Sequence, residues 1–217
     1  KLAEHWDKKA PSFNEGVMKS AYAREFIDKV EFAGVYTLLD FACGAGALSV
    51  LAAEKVDQIY GYDFSPKMLE FARENIKAYG AKNAKFAQKS FEDDWSDVPA
   101  CDLVFASRCL EVDDLKAALN KLLSKTKKSL YITFKVGGSF VDEEILGAIG
   151  REVEQKPDFV YLLNILVSNG LSAEPQLYQS PVPWRRSEEC GGVCAKDTLD
   201  ARRRAKRRGG GAAGGVF

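Results

Sequence analysis

The sequence predicts an α/β fold on a mostly parallel sheet, and three observations carry that expectation. Tyr36 to Phe41 is β-prone and mostly apolar, as in a strand covered on both faces, and Ala47 to Glu54 then changes to helix formers. Between them lies a small-residue turn with Gly44 and Gly46, where residues without a Cβ let the backbone bend sharply and come close to a ligand. A second strand-like run, Gln58 to Asp63, ends in a carboxylate 23 residues after Asp40, about the spacing at which adjacent strands of such a sheet present acids to one nucleoside.

The elements follow in order. Lys1 to Lys29 spaces Trp6, Phe13, Met18, Tyr22 and Phe26 roughly as one face of helical segments, so their first expected role is packing. His5 is the sole histidine and is expected at the surface, which argues against a His-based triad. Ala47 to Lys55 is a first crossover helix. Ser65-Pro66 opens the next, Ser being a preferred N-cap and Pro a preferred first helical residue, and Gly80 ends it. Met68, Leu69, Phe71, Ala72 and Ile76 make its buried stripe.

Ala84 to Gln88 is a third strand and Leu103 to Ala106 a fourth, the latter bounded by Pro99 and Asp102 before it and Ser107-Arg108 after it. Asp113 to Leu123 is the next helix, Leu130 to Val136 the fifth strand and Gly137-Gly138 its turn. Val141 to Gly150 and Asp158 to Asn169 read as helices, the second stopped by Gly170, and Leu171 to Gln179 as a sixth strand. Parallel α/β sheets bind ligands outside the carboxyl ends of their strands, where the strand order reverses, which places Ser107, Arg108 and Cys109 at the crevice. Arg108 has a structural alternative: pairing with Glu111, Asp113 or Asp114.

A full Gly-x-Gly-x-x-Gly would put a third glycine where Ser49 stands, which weighs against a dinucleotide. The stretch Leu39-Asp40-Phe41-Ala42-Cys43-Gly44-Ala45-Gly46, followed by Gly61-Tyr62-Asp63-Phe64-Ser65-Pro66-Lys67-Met68-Leu69, resembles the class I S-adenosylmethionine (SAM)-dependent methyltransferases. Cys101 to Val112 is similar to that family's fourth strand and following loop, and Ser129 to Phe134 to its fifth strand. The resemblance covers about Glu4 to Ser180 and implies a Rossmann-like, doubly wound sheet of order 3-2-1-4-5-7-6 with helices on both faces, the seventh strand being poorly matched here. It also implies SAM as cofactor.

Carried onto this chain, the resemblance implies a cofactor site of Asp40, Ala42, Cys43, Gly44, Gly46, Asp63, Phe64, Met68, Ser90, Phe91 and Ser107. Asp40 would orient the amino-acid end of SAM, directly or through water, and Asp63 would hold the ribose hydroxyls. Phe64 and Met68 would border the adenine, Met68 having core packing as its alternative. Family members commonly place an acid after the third strand to accept from the adenine amino group; Ser90 stands there, so its hydroxyl and the Phe91 amide are the candidates. The segment 1–33 corresponds to a helical lid, from which Trp6, Phe13 and Tyr22 would line the pocket. No residue is assigned as a catalytic base, and no metal is expected.

Composition narrows the partners. With 217 residues and 46% hydrophobic content the chain is long enough for one sizeable α/β core. No run approaches the ~20 apolar residues of a membrane span and no secretory start is visible, so a cytoplasmic location is expected. The five cysteines fit reduced thiols better than a disulfide framework. Residues 1–184 hold 22 Lys and Arg against 27 Asp and Glu, a balance of −5, whereas residues 185–217 hold 9 against 4, a balance of +5. An acidic body argues against a nucleic-acid substrate, for which clustered cations supply most of the affinity. The organisation expected is a lid over 1–33, a SAM-binding domain over 34–184 and a basic Gly/Arg-rich tail over 185–217 outside the fold. Cys190 and Cys194 lack a second ligand pair for zinc. The function expected is methyl transfer to a small-molecule acceptor; a catalytically silent SAM-binding module and an RNA methyltransferase using the tail are the alternatives.

Overall fold

A computed structural model describes residues 2–134 and 159–176, all within the compact unit Lys1–Gln179. Two helices, α1 (Leu2–Val17) and α2 (Ala21–Asp28), precede β1 (Thr37–Phe41), α3 (Ala47–Ala52), β2 (Gln58–Asp63), α4 (Pro66–Tyr79), β3 (Ala84–Gln88), β4 (Cys101–Ser107), α5 (Leu115–Ser124) and β5 (Thr126–Thr133). After residues 135–158, α6 runs from Phe159 to Ser168. The strands pair in the order β3-β2-β1-β4-β5, every pairing parallel. That order places the reversal between β1 and β4, whose carboxyl ends flank the crevice.

Strand alternation divides the core between the two faces of the sheet. Leu38, Ile59, Leu103 and Phe105 meet α2 and α3 on one face, where Ala23, Phe26, Ile27 and Val50 join them. Leu39, Phe41, Val104 and Ala106 meet α5 and α6 on the other, through Leu115, Leu119, Leu122, Leu162 and Ile165. Both faces being covered, the central strands read as near-continuous apolar runs. Phe105 is fully buried, with its ring edge-on to Phe26 at 4.9 Å.

The punctuation of α4 is the one the residues call for. Ser65 Oγ accepts from the Met68 amide, Pro66 takes the first turn, and Gly80 at φ 88° closes the helix in the left-handed region. Gly170, at φ 74°, follows α6 in the same way. Two strands begin earlier than expected, β4 at Cys101 and β5 at Thr126, and β5 also ends earlier, at Thr133, so that Phe134 of the expected strand lies outside it. Asp102, expected as a strand boundary, lies inside β4, where one carboxylate oxygen accepts from the Tyr36 and Thr37 amides and the Thr37 hydroxyl.

The expected sixth strand is corrected over its described part. Residues 171–176 form no strand: they are largely exposed, and Pro175 brings no N–H to a ladder. The expected helix Val141 to Gly150, the Gly137-Gly138 turn, a seventh strand and the basic tail lie outside the described residues.

Phe105→Ala should cost about 3–5 kcal/mol, because the ring leaves a cavity between β4, α2 and β5 that fixed strands cannot close. Urea unfolding of the two proteins checks this, and a loss below about 1 kcal/mol would mean that α2 does not pack on the sheet as described.

Candidate functional site

The β1–α3 turn is the centre of the site, and two buried acids support it from below and beside. Asp40 alternates with Leu38 onto the α3 face of β1, is 1% exposed, and accepts a 2.6 Å hydrogen bond from Ser49 Oγ on α3. Burial outweighs that bond and pushes its carboxyl up to about 7, with the nearby Asp63 adding to the rise. Asp63, at the end of β2, has each oxygen engaged: Oδ2 accepts from the Gly44 amide at 2.9 Å and Oδ1 from the Ser65 amide at 2.9 Å. Burial raises the Asp63 carboxyl as well, against the lowering by these amides.

The turn needs unusual backbone. Ala42 and Gly44 take φ of 56° and 55°, and Gly46, capping α3, takes 79°. A Cβ on Gly46 would stand 3.1 Å from Ala72 Cβ and 3.2 Å from its Cα, so glycine is what lets α4 close on the turn. At Gly44 the neighbour is the Phe13 ring of α1, 3.3 Å from where a Cβ would lie. Cys43 donates its amide to Tyr62 O at 2.9 Å, joining the turn to β2. Burial and the two acids push the Cys43 thiol well up, and burial does the same for Cys109, so both remain protonated.

Helix α1 lies on this turn. Asp7 Oδ1 accepts from Ser65 Oγ at 2.6 Å and from the Lys67 amide at 3.2 Å, at the start of α4. Ala10 packs with Ala45 and Met68, flanked by Trp6 and Phe71, and Trp6 meets Phe13 edge-on. Met68 is 2% exposed in this cluster, and Phe64, four residues before it, is half-buried.

Ser90 and Phe91 stand in the loop after β3. The Ser90 amide donates to Asp93 Oδ2, its carbonyl accepts from Trp95 Nε1, and its hydroxyl accepts from the Glu92 amide. Phe91 lies on Phe41, with ring centres 4.6 Å apart, and its carbonyl accepts from Lys121. At the end of β4, Ser107 Oγ lies 2.7 Å from Tyr22 Oη, which is also 2.7 Å from Thr133 Oγ1. The Arg108 guanidinium stacks on the Tyr22 ring, 3.5 Å from its centre. Among the described residues no carboxylate forms an ion pair with Arg108, so the expected pairing with Glu111, Asp113 or Asp114 is not what positions it. Asp114 instead caps α5 by accepting from the Ala117 amide.

Sequence reasoning put Asp40, Ala42, Cys43, Gly44 and Gly46 in one strand-and-turn segment with Asp63 converging on it from the next strand, and the structure brings Asp63 to that turn through the Gly44 amide. It missed Ser49, Asp7 and Thr133. Ser49 had a signal: a small hydroxyl in the first turn of the helix that follows a strand-end acid. Asp7 had none, since its partners lie 58 and 60 residues away.

Comparison with known proteins adds independent findings. Residues 34–161 match a family profile described as a methyltransferase domain. A protein of Haemophilus influenzae, whose own function is uncharacterised, is 35% identical over 170 residues, covering 77% of this chain and 63% of that one. Demethylmenaquinone methyltransferase of Symbiobacterium thermophilum is 28% identical over 146 residues, covering 65% of this chain and 55% of that one. The chain therefore spans less than two thirds of the length of either relative. Other relatives are named RNA methyltransferases, of which the chain covers 30% or less. Magnesium protoporphyrin IX methyltransferase from Synechocystis, solved with bound SAH, shares the fold at a TM-score of 0.54, with 18% identity over 72% of each chain.

The buried acid at the base of the turn makes stability pH-dependent with a definite sign. Asp40 titrates at about 7 when folded against 3.8 as the reference, so the folded state holds the extra proton between these values and stability falls as pH rises through them. Asp40→Asn, which keeps an acceptor for Ser49, removes this slope. Between pH 5 and pH 8 the variant should gain roughly 2–3 kcal/mol relative to the parent protein, at about 1.4 kcal/mol per pH unit up to the folded pKa. Urea unfolding at both pH values checks it; a constant difference would mean that Asp40 does not titrate there.

Proposed function

The chain belongs to the class I SAM-dependent methyltransferases, and on that premise we propose that it transfers the methyl group of SAM to a small-molecule acceptor by in-line displacement. The observation that carries this is the pair of strand-end acids Asp40 and Asp63 on either side of a left-handed glycine turn at the β1–β4 switch point. The donor set fits the cofactor: a carboxylate oxygen has two lone pairs, so Asp63 retains an acceptor position on each oxygen after taking one backbone amide there. Those positions suit a vicinal diol.

SAM supplies, when bound, an electrophilic methyl group on a sulfonium that departs as a neutral thioether. The chain's own task is then alignment and exclusion of water. Gly44 and Gly46 let the turn approach the cofactor, Asp63 holds the ribose hydroxyls, and Asp40 braces the turn from beneath through Ser49 and acts on the amino-acid end through its charge. Phe64 and Phe91 border the adenine, with the Ser90 loop beside it. Met68 sits beneath Ala10 and shapes that wall from the core side. Helix α1 is the lid: Phe13 rests on Gly44, and the Asp7 contact with Ser65 and Lys67 holds the helix closed. Ser107, Tyr22 and Thr133 offer hydroxyls where β4 and β5 end, on the acceptor side.

A small acceptor is favoured by the acidic balance of residues 1–184, 22 bases against 27 acids, which is poorly suited to a polyanion. Isothermal titration should give micromolar-range affinity for SAM and SAH, and Asp63→Ala should weaken both at least ~10-fold, since charge-assisted hydrogen bonds contribute about 1.5–3 kcal/mol each. Binding of NAD in place of either would overturn the proposal. Labelled SAM offered with a metabolite extract and, separately, an RNA pool should label the extract; label in RNA alone would transfer the activity to a polynucleotide acceptor, and binding without label in either would leave a SAM-binding module.

A further inference from the structure

We propose that Arg108, with the hydroxyls of Tyr22, Ser107 and Thr133, forms a subsite for a carboxylate of the methyl acceptor. The inference rests on the methyltransferase proposal above and names the chemical class of its acceptor: a small carboxylic acid.

Arg108 stands directly after β4, at the carboxyl edge where the strand order reverses, and its side chain is exposed. Its backbone takes φ 56°, a region that non-glycine residues enter rarely and under strain. Specific bonds hold it there: its amide donates to Thr133 Oγ1 at 3.0 Å and more weakly to the Thr133 carbonyl at 3.4 Å. The guanidinium lies face-on over Tyr22 at 3.5 Å. Stacking uses the face of the planar group and leaves its N–H edge available for a carboxylate, whose two oxygens match that fork. Tyr22 is itself fixed, its hydroxyl within 2.7 Å of both Ser107 Oγ and Thr133 Oγ1. A strained residue, a stacked cation without an ion-pair partner among the described residues, and three converging hydroxyls thus share one edge of the crevice.

The cofactor also carries a carboxylate, and position favours the acceptor as the source. Thr133 ends β5, on the far side of β4 from the Gly44 turn and Asp63, and the Tyr22 hydroxyl reaches across from α2 to lie 2.7 Å from it. The groups proposed for the nucleoside stand at the end of β2 and in the loop after β3, and Asp40, proposed for the amino-acid end that bears the carboxylate, stands on β1.

The test uses the full chain saturated with SAH and titrated by calorimetry with benzoate and with its uncharged isostere benzamide. Benzoate should bind at least ~10-fold more tightly, Arg108→Met should abolish the preference, and Arg108→Lys should keep part of it. Tyr22→Phe, which keeps the ring under the guanidinium and removes one of the three hydroxyls, should reduce the preference, by less than Arg108→Met does. The SAH affinity of Arg108→Met should stay within about twofold of the parent value. Equal binding of benzoate and benzamide by the parent protein would overturn the proposal. So would an Arg108→Met variant with a lowered melting temperature and an unchanged preference, because that is the signature of a purely structural stack. If Arg108→Met weakens SAH while leaving 5′-methylthioadenosine, which lacks the carboxylate, unaffected, the subsite belongs to the cofactor and the acceptor assignment falls. Failure of the parent protein to bind SAH at all would overturn the methyltransferase proposal itself, a result distinct from the others.

Discussion

The carboxylate of Asp63 is the constraint on which the rest of the site depends. One oxygen takes the Gly44 amide from the β1–α3 turn and the other the Ser65 amide at the start of α4, so a single side chain fixes two βα junctions against each other. Charge-assisted bonds of this kind are stronger than neutral ones, and they compensate a group only 5% exposed for much of its lost hydration. Ser65 passes the constraint on: its hydroxyl caps α4 through Met68 and reaches Asp7 of α1. The position of the first helix over the turn is therefore tied to the same carboxylate that faces the proposed ribose position.

A second acid so near would ordinarily be a liability. Asp40 tolerates the position because Ser49 supplies one short hydrogen bond and because a carboxyl raised to about 7 is partly neutral at physiological pH. The two acids raise each other's cost of ionisation, and a cationic ligand above the turn would relieve both. This polar, strained region is small. It is carried by two apolar layers in which Leu38, Leu39, Leu103, Val104 and Phe105 are wholly buried, and such layers can absorb the cost of a few ill-solvated groups.

Much of this was legible in the sequence where local chemistry decides structure. The end of β2 and both caps of α4 follow from a strand-end acid, Ser-Pro and glycine, all of them short-range signals. The early start of β5 was hidden because Thr126, Lys127, Lys128 and Ser129 are not apolar; exposed lysines suit the outer strand of the described sheet, so periodicity there reports solvent and not strand. Leu171 invited a sixth strand after the Gly170 stop, but apolar residues are too few beyond it for a buried one. In the site, the acids and glycines lay within one motif and could be read together. Tyr22, Ser107 and Thr133 meet only because α2, β4 and β5 converge across separations of 85 and 111 residues, and no local pattern encodes that.

The two left-handed residues that are not glycine show how the fold divides its labour. Ala42 follows β1 and Arg108 follows β4, so the strained positions stand on the two strands that border the switch point and on no other strand end among the described residues. Each is held by bonds from a neighbouring strand region: Cys43, next to Ala42, bonds to Tyr62 of β2, and Arg108 bonds to Thr133 of β5. The backbone turns away sharply at both places, which opens the crevice between them. Along that opening the side chains change character, from buried acids at β2 and β1 to a cation and hydroxyls at β4 and β5. On the two proposals above, the first half would match a cationic methyl donor and the second an anionic acceptor, which would bring the two reactants side by side along the sheet edge.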